Sequence, residues 1–491
     1  MKKGIFGILI LMEGNFLLLT FLLSLYYKEG DSNAFLLTTV LCYIIGLSCK
    51  WLGKRNKENQ RLSRADSFLI VSLSWVVFSI IGMIPFLMIE HMDLSSAFFE
   101  TMSGFTTTGA TCITDIESMT HALKFWRSVT QWMGGLGVVV FSIALIPVYE
   151  MKNSNVFSAE VTGIGLNKLR PKIGSTARRL LVIYLILTFS CVLCYWVGPM
   201  NLFDAICHSM TTIATGGFST HSASIGYFHS RYLEYVAPFF MLISSVNFSL
   251  YYYMSIGHKK ILFKNEEVKW FFSIVLLSVV LFVFFLYHAP IPNEAYDTLP
   301  KGFENTLRSA FFHVSSVITS TGYSAEKFDY VAWGPSFWMP TVVIMAIGSC
   351  AGSTAGGIKI IRIIICIKSL INQFIQQIHP RAVLSVKVNG FILDNANIRK
   401  AFAFIFIYFA LIVIAMTCYT LLGSDVDTAL GSSISMLSNV GPGTGGIGPA
   451  SNFGHVPDAG KWLMSFYMLV GRLEIFTVLV LFLPDFWKEK N

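Results

Sequence analysis

The sequence predicts an all-α integral membrane protein: two N-terminal helices, then four repeats that each consist of a helix, a re-entrant loop and a second helix. Three observations support this prediction. Charged residues make up only 13% of the 491 residues, about half the share usual in soluble domains, while 54% are hydrophobic. The apolar residues form runs long enough to cross a bilayer as helices. A short pattern ending in glycine recurs four times between those runs.

The apolar runs provide ten candidate spans. Eight contain no Asp, Glu, Lys or Arg, whereas the first is interrupted by Glu13 and the last by Arg472 and Glu474. The first span follows Lys2 and Lys3 as in a signal peptide, but another span follows at once, so we expect a retained helix. In chain order the spans cover residues 4–27, 32–49, 67–89, 128–149, 180–203, 235–257, 270–293, 330–358, 401–424 and 462–484.

Charge asymmetry predicts the orientation of these spans. With the N-terminus inside, the inner segments hold 27 of the 36 Lys and Arg residues and the outer segments hold 8. Because basic residues stay on the cytoplasmic side, we expect both termini in the cytoplasm. The outer side carries 17 acids, and its net charge of −9 would gather cations at an outer mouth.

The repeat aligns without a gap on four glycines, Gly109, Gly217, Gly322 and Gly441, with Gly216 as an alternative to Gly217 in the second copy. An alanine stands twelve residues before each glycine, and each intervening stretch is too short to cross the membrane. The alanines are Ala97, Ala205, Ala310 and Ala429. The predicted division is 1–65 for the two extra helices and 66–178, 179–267, 268–399 and 400–491 for the four repeats.

Four converging loops of this kind would form a cation filter around a central pore. Non-helical backbone at membrane depth is tolerated where it is buried or lines an aqueous cavity, and its carbonyls can replace the hydration shell of an ion. The loops contain no carboxylate, which favours a monovalent over a divalent cation. The predicted filter residues are Thr107, Thr108, Gly109, Thr215, Gly216, Gly217, Ser320, Thr321, Gly322, Asn439, Val440 and Gly441.

Two other classes of function compete with this interpretation. A proton- or sodium-coupled carrier of another monovalent cation or small solute usually shows two inverted halves and paired intramembrane acids, whereas this chain shows four repeats in one direction. A membrane-embedded enzyme would need a nucleophile triad or a metal pair such as His-Glu-x-x-His, which the sequence lacks, so we do not expect an enzyme or an organic cofactor.

The four loops, read as TTTGAT, ATGGFS, TSTGYS and NVGPG, resemble those of the Trk/Ktr/HKT superfamily of potassium transporters. The two extra helices, GSCAGSTAGGIK at 348–359 and GRLEIFTVLVLF at 471–482 are most similar to the bacterial TrkH/TrkG subunits. The resemblance implies K⁺ uptake across the bacterial inner membrane, a homodimer with one pore per subunit, and a cytoplasmic nucleotide-binding regulatory subunit of the TrkA type. Gly at position 109, rather than Ser, implies preference for K⁺ over Na⁺.

Two features near the inner end of the predicted pore indicate a gate. The low-side-chain stretch 348–357 is expected either to pack closely against helices or to break its own helix, and the resemblance favours a gating loop. Arg472 lies inside the last span, where a charge costs at least about 2.5 kcal/mol, and the resemblance places a pore-lining arginine there. Glu13 lies outside the repeats and is expected to be structural. The predicted gating residues are Gly348, Gly352, Gly356, Gly357, Lys359 and Arg472.

Overall fold

The computed structural model describes residues 2–55, 64–150, 173–288, 300, 302–325 and 330–488. A helical hairpin comes first, with α1 at Lys2–Tyr27 and α2 at Ser32–Arg55. The two helices can approach closely because Gly7 has no side chain. A Cβ at this position would lie only 2.6 Å from the Gly46 carbonyl oxygen. Glu13 is fully buried in α1, and neither carboxylate oxygen has a hydrogen-bond partner within the described residues.

The first repeat contains a short helix between two long ones. Helices α3 (Arg64–Gly82) and α4 (Ile84–Ile89) together form one candidate span. The short α5 (Leu94–Phe105) is buried over almost its whole length, as a re-entrant helix at the centre of the protein should be. The long α6 (His121–Glu150) then completes the repeat.

The second repeat follows the same plan, except that its last helix is bent. Helix α7 (Ile173–Val197) leads to the short α8 (Leu202–Ile213). The returning helix is divided into α9 (Arg231–Ser244) and α10 (Phe248–Ser255), whose axes differ by 84°. A four-residue helix, α11 (Ile261–Lys264), connects to the third repeat.

The third repeat has the widest break. Helix α12 (Glu266–His288) leads to the short α13 (Phe303–Ile318), and the returning helix stops early as α14 (Pro335–Ile347). Twelve residues without regular structure, 348–359, precede α15 (Ile360–Ile378). A small antiparallel hairpin follows, in which β1 (Lys387–Val388) pairs with β2 (Phe391–Ile392).

The fourth repeat ends in the sharpest bend. Helix α16 (Asn395–Leu421) leads to the short α17 (Val426–Ser438). The returning α18 (Asp458–Arg472) turns by 111° into α19 (Phe476–Leu479), and α20 (Pro484–Lys488) closes the described chain.

The predicted all-α membrane class is confirmed, but three predicted spans are not continuous helices. The described residues contain seven helices long and apolar enough to cross a membrane, or up to nine if each bent pair counts as one. Span 235–257 breaks where Asn247 caps α10, and span 330–358 ends at Gly348 with φ +70°. Span 462–484 breaks where Glu474 and Ile475 both adopt positive φ. The expected inner-side segment 359–400 begins with the apolar α15 instead of a polar loop.

The exposed surface of the long helices is apolar, and much of the interior is polar. Leu276 and Leu277 on α12 and Phe406 on α16 are each at least 67% exposed, whereas the short central helices bury many Ser and Thr side chains. Exposed leucine and phenylalanine at this density suit a lipid environment, since hydrocarbon imposes no penalty on apolar side chains. The buried hydroxyls lie around the four loops, where the candidate site is built.

Candidate cation site

Three of the four short helices begin in a similar way. These three are N-capped sixteen residues before the repeat glycine by Asp93, Asn201 and Asp425, whose side-chain oxygens accept backbone N–H groups at 2.8–3.0 Å. The third short helix instead starts at Gly302 without a side-chain cap. The Thr428 hydrogen bond lowers the pKa of Asp425, so that this carboxylate stays ionised at the start of its short helix.

The predicted alanine register of the repeat is confirmed by burial. All four alanines are 0% exposed. Ala97, Ala205 and Ala429 are the fourth residue of their short helices, and Ala310 is the eighth residue of the longer α13. Small side chains let helices pack closely, which is a reason for the same residue to recur in all four copies.

All four short helices end in a Schellman motif. The residue before each repeat glycine donates its N–H to the carbonyl five residues earlier, at 2.8–3.0 Å, from Thr108, Gly216, Thr321 and Val440. The preceding residue adopts the left-handed conformation that this motif requires, with φ between 52° and 55° at Thr107, Thr215, Ser320 and Asn439. Glycine or asparagine is usual there, and a left-handed Thr or Ser costs about 1–3 kcal/mol. The surrounding packing must therefore hold these loops in place.

The repeat glycines then close the loops into a ring. Their φ values lie between +78° and +99°. A Cβ added to Gly109 would collide with the Gly216 carbonyl oxygen, and the same relation holds in cyclic order for Gly217 with Thr321, Gly322 with Val440 and Gly441 with Thr108. Each loop thus places one carbonyl oxygen against the glycine of the loop before it in the chain, and the first loop places its oxygen against the glycine of the fourth. Gly217, not Gly216, has the positive φ shared by the other three glycines.

A buried ion pair supports the ring from behind. The Arg127 Nε donates to Glu100 Oε1 at 2.9 Å, and Arg127 Nη1 donates to the Ser219 carbonyl oxygen at 3.1 Å. Glu100 also accepts the Cys112 N–H, so this pair links the first and second loops. Both side chains are about 1% exposed, and removing either would leave an uncompensated buried charge.

In the second and third repeats a histidine stands where the first repeat has Glu100, nine residues before the repeat glycine. These histidines also make structural hydrogen bonds. His208 Nε2 lies 2.9 Å from Ser219 Oγ, and His313 Nε2 lies 2.9 Å from Thr341 Oγ1. Within the described part of the chain, no group of three His, Cys, Asp or Glu residues has the geometry of a metal site. These histidines therefore position the short helices and their loops.

The predicted gating loop, residues 348–359, lies directly against the ring, next to the third and fourth loops. The Gly356 N–H donates to Ser320 Oγ at 2.8 Å, and a Cβ on Gly356 would collide with the Ser438 carbonyl oxygen. Gly348, Gly352 and Gly357 have φ values from +70° to +84°, and Lys359 also has positive φ. The backbone thus agrees with the interpretation of this segment as a broken helix. Glycine is required here both by the positive φ values and by the lack of space for a Cβ.

Polar contacts hold this loop on several sides. Glu267, at the start of α12, accepts the N–H groups of Ala351 at 2.8 Å and Ile361 at 3.2 Å. Lys359 folds back so that its Nζ donates to the Ala355 carbonyl at 2.7 Å. Sequence reasoning missed Glu267 because it reads as one of two acids before an apolar run, which is an ordinary helix start.

Arg472 joins the gating loop to the first repeat. Its Nη1 donates to the Thr354 carbonyl oxygen and its Nη2 to the Gly134 carbonyl oxygen at 3.2 Å. The side chain is 6% exposed, and Glu474 pairs with Arg362 at 2.6 Å rather than with Arg472. Among the described residues the Arg472 guanidinium therefore has backbone carbonyls, not carboxylates, as its recorded partners.

Comparison with known proteins shows the family of this chain. A family model described as TrkH, cation transport protein, matches residues 31–489. The chain belongs to the TrkH family. Among relatives of the family, the Trk system potassium uptake protein TrkH of Salmonella typhimurium is 36% identical over 491 residues, covering 99% of this chain and 98% of the relative. The Trk system potassium uptake protein TrkG of Escherichia coli is 34% identical over 488 residues, covering 98% and 97%.

A solved structure of the TrkH family also matches the fold. The crystal structure of the potassium transporter TrkH from Vibrio parahaemolyticus superposes with a TM-score of 0.87 and 33% sequence identity, covering 99% of this chain and 98% of that one. The family is one of cation transport proteins, not enzymes, and its members are multi-pass membrane proteins.

Substitution of a repeat glycine tests the ring geometry. In Gly109→Ser the new Cβ would collide with the Gly216 carbonyl at a backbone conformation unfavourable for serine. We expect the ring to distort and the K⁺/Na⁺ flux ratio to fall about tenfold, equivalent to about 1.4 kcal/mol of discrimination. Paired flux measurements in proteoliposomes give this ratio. Gly423→Ser, at a positive φ in an open loop, is the matched control, and an unchanged ratio in Gly109→Ser would remove Gly109 from the site.

Proposed function

We propose that this chain carries K⁺ into the cell across the bacterial inner membrane through the ring of four loops. The observation that supports this most directly is the cyclic contact of four carbonyl oxygens with the neighbouring glycines. Relatives named as potassium uptake proteins, 34–36% identical over nearly the whole chain, support K⁺ as the transported ion.

The proposed filter works by replacing water with carbonyl oxygens. Its members are the residues predicted from the sequence, Thr107–Gly109, Thr215–Gly217, Ser320–Gly322 and Asn439–Gly441. None carries a carboxylate, so partial charges alone would balance a monovalent cation. The negative C-terminal ends of the short helices, which stop at these loops, favour a cation in the same place.

The proposed orientation places both termini in the cytoplasm and the capped ends of the short helices outside. The basic residues concentrated in the inner segments support it. The ionised Asp425 and its neighbours would then raise the local concentration of K⁺ at the outer mouth before the ion loses its water.

The proposed gate is residues 348–359 together with Arg472. Two contacts support a closed position of the loop beneath the ring: the Gly356 N–H donates to the filter residue Ser320, and Arg472 donates to the Thr354 carbonyl oxygen. Opening requires that the loop leave Glu267 and Arg472. Its small side chains and left-handed glycines lower the steric cost of such a rearrangement.

We further propose a homodimer and a cytoplasmic nucleotide-binding regulatory subunit of the TrkA type. The Trk system names of the relatives support a multi-subunit assembly. The expected docking segments are residues 50–66 and 150–179, parts of which lie outside the described residues.

Ion uptake tests the proposal directly. Purified protein in liposomes loaded with K⁺ should take up ⁸⁶Rb⁺ from a K⁺-free exterior, because dehydrated Rb⁺ is close to K⁺ in size and charge and should replace it on the carbonyl oxygens. Parallel liposomes with an imposed proton gradient separate a channel from a coupled symporter. Absence of uptake above that of protein-free liposomes, with the protein correctly inserted and its regulatory subunit present, would refute the proposal.

Replacing the gate arginine should raise the rate of transport. Arg472→Ala removes a positive charge from the proposed path and one tether of the loop, and each 1.4 kcal/mol taken from the barrier raises the rate tenfold, so we expect ⁸⁶Rb⁺ flux per folded dimer to increase about tenfold. Arg472→Lys is the control that keeps the charge. Normal flux at reduced yield of folded protein would indicate a purely structural arginine.

The regulatory partner is open to a capture experiment. Mild detergent extraction of the tagged chain from its native membrane should recover a nucleotide-binding protein in about equimolar amount. A variant in which the Lys and Arg residues of the segment 50–66 are replaced by Gln should no longer bind that protein but should remain a dimer. Recovery of the chain alone from the unmodified membrane would argue for an autonomous pore.

A further inference from the structure

The second filter loop lacks an internal support that the first and third loops possess. In the first loop Thr106 Oγ1 lies 2.8 Å from Thr108 Oγ1, and in the third loop Thr319 and Thr321 make the same pair at 2.7 Å. These hydroxyl pairs tie the residue before the glycine to the end of the short helix. The second loop has Ala214 and Gly216 at those positions, so it has no hydroxyl to form the pair.

Gln131 occupies the space that such a side chain would take. It comes from α6 of the first repeat and is fully buried. Its Nε2 donates to the Gly216 carbonyl oxygen at 2.7 Å, and its Oε1 accepts the Phe218 N–H at 3.0 Å. Because one partner is an acceptor and the other a donor, the amide orientation is unambiguous.

The steric relation is equally specific. The three nearest atoms to a Cβ placed on Gly216 all belong to the Gln131 carboxamide. Gly216 has no positive φ, so its lack of a side chain is not required by backbone conformation. Glycine at 216 therefore makes room for Gln131, and the support that loops one and three build internally is supplied to loop two by another repeat.

The carbonyl that Gln131 holds is a member of the ring. The Gly216 oxygen is the one that lies against Gly109 of the first loop. A carbonyl has two lone pairs, so one can accept the Gln131 amide while the other remains for a cation. Moving or releasing this oxygen would change one quarter of the coordination and leave the other three loops in place.

We propose that Gln131 is a specificity-determining positioning residue, which fixes the Gly216 carbonyl oxygen in the cation filter from the neighbouring repeat. The inference rests on the proposed function, because it assigns a role within the same filter. It adds a residue outside the four loops to the set that determines the K⁺/Na⁺ ratio. It also accounts for the support of the second loop, which, like the fourth, departs from the Thr-x-Thr pattern of the first and third.

Gln131→Met removes both hydrogen bonds at nearly constant volume. We expect the K⁺/Na⁺ flux ratio to fall about three- to tenfold, as the loss of one or two ordinary hydrogen bonds allows. Gln131→Glu keeps the shape and the acceptor for Phe218 but loses the donor to Gly216 when ionised, and should lower the ratio as well. If Gln131→Met does not assemble, Gln131→Glu decides the outcome.

A compensating variant separates positioning from general stability. Gln131→Ala combined with Ala214→Thr and Gly216→Thr frees the occupied space and recreates the hydroxyl pair of the first and third loops. We expect its K⁺/Na⁺ ratio to return to within about twofold of the unmodified protein, while Gln131→Ala alone stays low. A ratio that the hydroxyl pair fails to restore would overturn the positioning role.

Asn265→Ala is the control for loss of a buried amide, since Asn265 caps α12 by accepting the Val268 N–H at 3.2 Å. It should change protein yield but not the flux ratio. If the unmodified protein transports no K⁺ in these liposomes, the proposed function itself fails. If it transports K⁺ and every Gln131 variant keeps the same K⁺/Na⁺ ratio, only the present inference fails.

Discussion

The contact between each loop's carbonyl oxygen and the glycine of a neighbouring loop is the constraint on which the rest of the structure depends. No Cβ fits at Gly109, Gly217, Gly322 or Gly441, so the four backbones approach as closely as backbones can. That approach requires the four short helices to end in the same way, and each of them ends in a Schellman motif. It also requires a small residue where these helices pack, and each has a buried alanine. The long helices around them present leucine and phenylalanine to the lipid.

Backbone symmetry and side-chain asymmetry coexist in this ring. All four loops share the same pattern of positive φ values, and the first and third also share a hydroxyl pair. Their other supports differ: the Glu100–Arg127 pair, Gln131, the Ser316 hydroxyl donating to the Tyr323 carbonyl, and the Ser435 hydroxyl donating to the Gly441 carbonyl. A single chain can vary these supports independently, whereas a tetramer of identical subunits cannot. The same freedom allows the third repeat alone to contribute the loop 348–359, the proposed gate, which contacts the ring through Gly356.

The glycine and alanine spacing predicted the four re-entrant segments because both residues answer steric demands that repeat along the chain. The bend after Ser244 was not predictable from hydropathy, since apolar composition continues across the break. The bend at Glu474 falls where Arg472 and Glu474 interrupt the last span, but those two charges alone do not predict a turn of 111°. Glu267 and Gln131 escaped sequence reasoning for a related reason: their roles depend on loops 84 and 85 residues away. For Gln131 the sequence offers one signal, a polar amide inside the charge-free span 128–149, which indicates a buried hydrogen-bonding role.

The central claim is that a dehydrated monovalent cation binds within the ring of carbonyl oxygens. Anomalous diffraction from crystals grown in RbCl, with NaCl crystals as the reference, locates the ion directly. The account predicts a Rb⁺ peak at the level of the Thr108, Gly216, Thr321 and Val440 carbonyls that is lost in Na⁺. Ordered Rb⁺ elsewhere along the chain, with none at this ring, would contradict it.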